Sequence, residues 1–300
     1  MKLIVQPRDG MSSIVSAIRQ AKREIDIVIF RCDRLELQQA LEAAVKRGVK
    51  VRTLIAHTNR GGEKNLRKLE QKMLDAGALV ARTGDEFVRY HGKMLIVDRA
   101  ALWVLGFNFT ALDVSRSRSF GVVTRQKAVV QQALKLFDAD ATRQPYEPSG
   151  HHFVVSPENA RDAISEFLQK ARKQLLIYDP KVSDSAIIRI LKDRLKAGVD
   201  VRIIGKVGDG AGDIPHEKFP GKRLHVRAIV RDSKDAFVGS QSLRKLELDR
   251  RREVGIIVKS PPIVSEMLRT FEEDWAQTDS GKRERREEKE SEADAKRASA

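Results

Sequence analysis

Two short segments of this 300-residue chain place a histidine two residues before a cation. The first reads His91-Gly92-Lys93, with Asp98 five residues beyond the lysine and Asn108 further on. The second reads His225-Val226-Arg227, followed by Asp232, Ser240 and Ser242. On a strand, residues two apart share a face, so each imidazole stands beside an ammonium or a guanidinium. That combination suits reaction at an anionic ester, above all a phosphodiester. Its oxygens must be neutralised as charge moves in the transition state, and Lys93, Arg227, Asn108, Ser240 and Ser242 are the candidates for holding them. A neutral imidazole can attack phosphorus. A second, protonated imidazole can donate to the leaving alkoxide and then activate water. Two His-x-cation copies supply both roles without a metal. His57, His151, His152 and His216 lack carboxylates at recognisable ligand spacing, so no metal centre is expected.

The two segments occupy equivalent places in an imperfect repeat. Val5-Gln6-Pro7 recurs 150 residues later as Val155-Ser156-Pro157, and Gly48-Val49 recurs at that offset as Gly198-Val199. From His91 onward the offset is 134, and Phe137 with Asp140 recurs at it as Phe271 with Asp274. The first half therefore carries 16 more residues between Gly48 and His91. Leu66, Leu69, Met73 and Leu74 recur there at helical spacing and predict a helix over 63–76. Each half reads as a helix (12–23; 159–172), a short apolar strand (25–30; 175–178), a second helix (35–47; 185–197) and a second strand (49–55; 199–204). Gly48 and Gly198 are good helix stops. The apolar run 94–97 predicts a strand buried on both faces. Asp98-Arg99-Ala100 turns the chain into a neighbouring strand, 101–105, past which Asn108 returns toward the His-Lys pair. Helices alternating with buried strands predict an α/β fold. The organisation expected is a first half at 1–145, a Pro/Gly-punctuated linker at 146–152, a second half at 153–278, and a charged tail at 279–300 that is disordered or a frayed helix.

Hydrophobic residues make up 41% of the chain and charged ones 33%, which leaves room for a sizeable core. No apolar stretch approaches the roughly 20 residues that span a bilayer. The N-terminus reaches Pro7 and Arg8 before a signal-peptide core can form, so a cytoplasmic protein is expected, at most peripheral at the inner face of a membrane. One cysteine, Cys32, excludes an intrachain disulfide and is read as a buried or half-buried thiol. The net charge is +15, and residues 281–300 hold seven Lys/Arg against six Asp/Glu, so nearly all of the excess sits in the body. Such a body favours polyanions: nucleic acid, anionic lipid or other phosphates. Lys46, Arg47, Lys50, Arg52, Arg60, Lys64, Arg67 and Lys68 make the first half notably basic, as a solvated helix face or as a patch toward lipid or nucleic acid. Aromatics are only 5%, without basic residues interleaved among them, which argues against a dedicated single-strand groove. Arg116, Arg118, Arg244 and Lys245 follow the two segments and are expected at a cleft mouth. Phe271 and Trp275 are expected in the core.

The paired segments resemble the signature of the phospholipase D superfamily, H-x-K-x4-D-x6-G-[GS]-x-N, present twice over about residues 1–278. In the first copy His91, Lys93, Asp98, Gly106 and Asn108 match, and Leu105 stands where a glycine is usual. In the second, His225, Asp232, Gly239 and Ser240 match, while Arg227 replaces the lysine and Ser242 the asparagine. The resemblance implies two α/β/α sandwich halves related by a pseudo-twofold axis, with one active site at their interface. It implies a ping-pong mechanism through a phosphohistidine, without a cofactor, in which His91, Lys93, Asp98, Asn108, His225, Arg227, Asp232 and an orienting acid are catalytic. Glu253, 28 residues after His225, fits the place of that acid, whereas Ser119 stands at the equivalent place after His91. His91, in the more complete motif, is expected to be the nucleophile, and His225, oriented by Glu253, the general acid. The substrate expected is an anionic phosphodiester. Phospholipid hydrolysis or phosphatidyl transfer, like that of cardiolipin synthases, comes first, with peripheral contact to an anionic membrane. A metal-independent nuclease is the alternative, and a non-catalytic phosphodiester-binding protein the third reading. The sequence leaves the oligomeric state open.

Overall fold

The alternation of apolar strands and amphipathic helices builds two sheets, described here from a computed structural model for residues 1–58 and 63–298. The first half runs β1 (Lys2–Gln6), α1 (Ser12–Gln20), β2 (Glu24–Ile29), α2 (Leu35–Lys46), β3 (Lys50–Ile55), α3 (Glu63–Asp75), β4 (Leu79–Arg82), β5 (Arg89–Tyr90), β6 (Met94–Val97), β7 (Ala101–Leu105), α4 (Ala111–Arg116), β8 (Ser117–Thr124) and α5 (Lys127–Thr142). The second runs β9 (Phe153–Ser156), α6 (Ala160–Gln169), β10 (Gln174–Val182), α7 (Ser185–Lys196), β11 (Asp200–Val207), β12 (His216–Glu217), β13 (Arg223–Leu224), β14 (Ala228–Arg231), β15 (Asp235–Gly239), α8 (Lys245–Asp249), β16 (Arg251–Val258), α9 (Pro261–Trp275) and α10 (Asp279–Ala298). The extra segment of the first half forms α3, as its spacing predicts. Arg60 lies outside the described residues. Helix α10 stands where disorder or fraying is expected. Its charges of both signs alternate at helical spacing, and Trp275 Nε1 donates to Glu284 at 3.0 Å to anchor its first turns.

The sheets are ordered β1-β8-β7-β6-β2-β3-β4 and β12-β11-β10-β14-β15-β16-β5. Two short strands cross between halves. β5, just before His91, pairs in parallel with β16 of the second half, and β13, just before His225, pairs in parallel with β8 of the first. β9 joins the second sheet beside β16.

Three apolar cores follow from this layering. One lies between the first sheet and α1, α2 and α3, and its counterpart between the second sheet and α6 and α7. The third is shared by both halves and contains Phe120, Tyr178 and Phe271, with ring centroids 5.6 and 5.0 Å apart. Phe271 and Trp275 are core residues, as expected. Two buried ion pairs cross the same interface. Arg118 grips Asp274 at 2.7 and 2.8 Å, and Arg252 faces Asp140 at 3.1 Å. These pairs are what the repeated Asp140 and Asp274 accomplish. Tyr178 and Tyr90 complete them by donating their hydroxyls to Asp274 and Asp140. Arg118 is therefore not at a cleft mouth. Its charge is spent on an interface carboxylate, because β8 turns that side chain inward.

Candidate active site

The crossed strands set the histidines. The backbone N–H of His91 donates to Arg252 O at 2.7 Å, and that of His225 to Arg118 O at 3.2 Å. Each histidine is thus stitched to a strand of the opposite half, and both imidazoles are buried, each 7% exposed. Gly106 lets the two halves approach here, since a Cβ on it would stand 2.9 Å from Phe120 O and 3.1 Å from Gly239 O.

Strand crossing also decides which carboxylate faces which imidazole. Glu253 follows Arg252 on β16, so it lies beside His91, whose Nδ1 is 2.8 Å from Glu253 Oε2. The pairing of Glu253 with His225 expected from sequence is wrong. A fixed spacing from a motif does not reveal that the motif's leading strand belongs to the other sheet. The carboxylate facing His225 is Asp113 of α4, with Oδ2 3.4 Å from His225 Nδ1. Ser119, the repeat counterpart of Glu253, places its hydroxyl 3.3 Å from His225 O.

The cations close the site. Lys93 is fully buried, donates to His91 O at 2.7 Å, and lies 5.2 Å from the centroid of the Phe30 ring. Phe30 in turn meets His91 edge-on, with centroids 4.7 Å apart. Arg227 donates to His225 O at 3.3 Å, so a guanidinium does in one half what an ammonium does in the other. Burial is the largest influence on both imidazoles. It pushes His91 down to about 4, against the attraction of Glu253 and with the repulsion of Lys93. It holds His225 well below the ordinary histidine value, assisted by Arg227, Lys93 and Arg223. Burial alone would raise Glu253, but the histidine and lysine beside it keep the carboxylate ionised. An ionised Glu253 accepting from Nδ1–H leaves the Nε2 lone pair of His91 free to attack.

The hydroxyl and amide donors are turned inward. Asn108 gives both its backbone N–H and its Nδ2 to Asp113 Oδ2, at 2.8 and 2.7 Å. Ser242 donates to buried Asp179 at 2.5 Å. Ser240 lies 3.3 Å from Val254 O. These residues, expected to hold the phosphate, make these bonds to the acids and strands around the histidines. Lys93 and Arg227 are the members of that group that flank the histidines.

Asp98 and Asp232 are not in the site at all. They stand at the far ends of β6 and β14, in hairpin turns where Asp98–Arg99 and Asp232–Ser233 have φ between 52° and 55°. Asp98 accepts the backbone N–H groups of Lys22, Arg23 and Glu24, and Asp232 those of Arg172, Lys173 and Gln174. Aspartate tolerates left-handed backbone and accepts several N–H groups at once, which explains its fixed spacing without chemistry. Arg244 is tied to Glu247, and Arg116 and Lys245 are exposed. Cys32 is half-buried. Sequence reasoning missed Asp113, Asp179, Arg223 and Phe30. The repeat held a signal for Asp113, because its counterpart at the 134 offset, Glu247, is also acidic.

Comparison with known proteins now bears on this site. The profile of a family described as cardiolipin synthase, PLD-like domain, matches residues 14–141 and 164–275. Among solved structures, polyphosphate kinase from Porphyromonas gingivalis superposes with a TM-score of 0.74 at 20% identity, covering 90% of this chain and 49% of that one. This chain thus spans about half the length of that kinase. Phosphatidylserine synthase from Haemophilus influenzae superposes with a TM-score of 0.67 at 12% identity, covering 90% and 85% of the two chains. A phospholipase D family member, NUC from Salmonella typhimurium, aligns with 49% of this chain at 22% identity and a TM-score of 0.44. No curated protein sequence matches. The two longer superpositions establish a shared fold.

Proposed function

The chain belongs to the phospholipase D superfamily, and from that premise we propose that it transfers a phosphatidyl group from a phospholipid to water or an alcohol through a phosphohistidine at His91. The observation that carries this reading is the His91 Nδ1–Glu253 contact of 2.8 Å, which engages Nδ1 and leaves Nε2 for attack. In the first step Nε2 bonds to phosphorus, the P–O bond to the leaving alkoxide breaks, and His225 gives that oxygen a proton. In the second step water or an acceptor alcohol loses a proton to His225 and displaces His91. Lys93 and Arg227 neutralise the phosphoryl oxygens throughout. Both histidines are neutral in the free site, so His225 acquires its proton with the anionic substrate, whose charge offsets the surrounding cations.

The basic body supports binding at an anionic surface. No helix among the described residues is long and apolar enough to cross a membrane, so contact through that surface is peripheral. The test is a side-by-side assay on liposomes of anionic phospholipid and on plasmid DNA, each with the wild type and His91→Ala. Release of headgroup or transfer product, lost in His91→Ala, is expected. Cleavage of DNA with untouched liposomes would replace the lipid reading with a nuclease.

A further inference from the structure

The carboxylate opposite His225 is already occupied. Asp113 Oδ2 accepts two N–H groups from Asn108, and Asp113 Oδ1 is 2.6 Å from Arg223 Nη1. Arg223 also reaches Ser117 Oγ at 3.1 Å. His225 Nδ1 is left at 3.4 Å, buried and without a hydrogen bond among the described residues. The contrast with His91, which holds Glu253 at 2.8 Å, is built into the fold. Exposure grades outward across the trio: the side chains of Asp113 and His225 are 3% and 9% exposed, that of Arg223 42%. The arginine therefore enters from solvent, and it holds Oδ1 of the same carboxylate whose Oδ2, held by Asn108, faces His225, so that the carboxylate is fixed away from the imidazole.

We propose that Arg223 is a substrate-operated switch: it occupies Asp113 in the free protein, and when an incoming phosphate group draws its guanidinium away, Asp113 turns to His225 and makes it the acid. This rests on the acid role given to His225 above. The groups facing His225 are Asp113 on α4, Arg223 and Arg227 on its own segment, and Lys93 and His91 from the other motif, with Glu253 behind His91. Among these cations Arg223 is the one paired to the carboxylate within reach of His225. The ligand is any anionic group bearing phosphate oxygens, which a guanidinium fork receives through two N–H donors. No bond changes. The proton reaches Nε2 of His225 from solvent as Nδ1–H comes to donate to Asp113. Arg223 is thus a positioning residue, and it costs the free protein a ready acid in exchange for one formed only with substrate.

Nitrogen NMR of the His225 ring, titrated in the wild type, Arg223→Gln and Arg223→Lys, reads this directly. Arg223→Gln should raise the His225 pKa by about one unit, the effect of removing one charge from a partly solvated site, whereas Arg223→Lys should stay within about 0.3 unit of wild type. Saturating inorganic phosphate should raise the wild-type value more than it raises that of Arg223→Gln. An unmoved or lowered pKa in Arg223→Gln, or equal rises with phosphate in both proteins, would overturn the proposal. A parallel pH profile with a poor leaving group separates the two readings. Its alkaline limb should move up by about one pH unit in Arg223→Gln, since a stronger base holds the proton longer. An NMR shift with an unmoved limb would count against His225 as the acid, and not against the link from Arg223 through Asp113 to His225.

Discussion

His91 is held on several sides, by Glu253 at Nδ1, the edge of Phe30 and the backbone of β16, with Lys93 bonded to its own carbonyl. His225 has the same backbone seam but a carboxylate at 3.4 Å that is shared with Arg223 and Asn108. The two half-sites share one pattern and surround their histidines differently. A rigid, permanently oriented imidazole suits a nucleophile, which must present one lone pair in one direction. A loosely oriented imidazole suits a group that changes protonation twice per cycle. The lesson is that a site with near-identical motifs can be polarised by the residues behind them.

The sharpest break of this comparison removes each histidine in turn. His91→Ala should lose turnover by about three orders of magnitude or more, with no phosphorus adduct trapped. His225→Ala should still be phosphorylated at His91 by a nitrophenyl ester, whose departure needs no acid, and the adduct should accumulate. Alkaline quench and mass spectrometry locate it. An adduct on His225 in His91→Ala, with none on His91 in the reciprocal variant, would reverse the polarity. The carboxylates come next. Glu253→Gln should lower kcat by about 10²–10⁴, because it disturbs the tautomer of the nucleophile. Asp113→Asn should cost about tenfold, and only with poor leaving groups. Equal losses, measured by steady-state kinetics on both ester types, would erase the asymmetry.

Acid should expose the burial of both imidazoles. Their folded pKa values lie below the unfolded value of about 6.5, so the unfolded chain takes its protons first. The stability is full above about pH 6.5 and falls as the pH drops toward 4, His91 alone accounting for about 2 kcal/mol between pH 6.5 and 5. Urea unfolding at pH 7, 6 and 5 should show this slope, and His91→Gln should flatten it; an unchanged slope would refute the assignment. The smallest effect is expected at Asp98. Asp98→Asn should cost about 1 kcal/mol in the same urea experiment through weakened N–H contacts, while the folded enzyme keeps its kcat within about twofold. A hundredfold fall in kcat would return Asp98 to the site.

Much of this was legible in the chain itself. Periodicity and the repeat gave α1, α2, β2, β3 and their counterparts to within a few residues, the extra α3, and both histidines with their cations. Local pattern could not reveal the exchange of β5 and β13. Each is two residues long, and strand partners are chosen by long-range pairing that leaves no periodic trace in so short a segment. What depends on the exchange goes with it: the partner of Glu253 and the burial of Arg118 are misread, and Asp113 is missed. Asp98 and Asp232 failed for a different reason. A fixed spacing from a histidine marks a structural turn as firmly as a catalytic group, and only the three N–H donors around each carboxylate tell them apart.

The exchanged strands have a consequence for how such a molecule diverges. Since the acid that governs each histidine is encoded in the opposite copy, inheritance in this site runs diagonally. A serine at position 119 in the first copy withholds a carboxylate from the histidine of the second, and the glutamate retained at 253 in the second keeps it for the histidine of the first. After duplication, a single substitution in either copy reprogrammes its sibling and leaves its own signature motif intact. Two matching motifs are therefore no guarantee of two matching centres, and a pair of halves can specialise while each still looks ancestral.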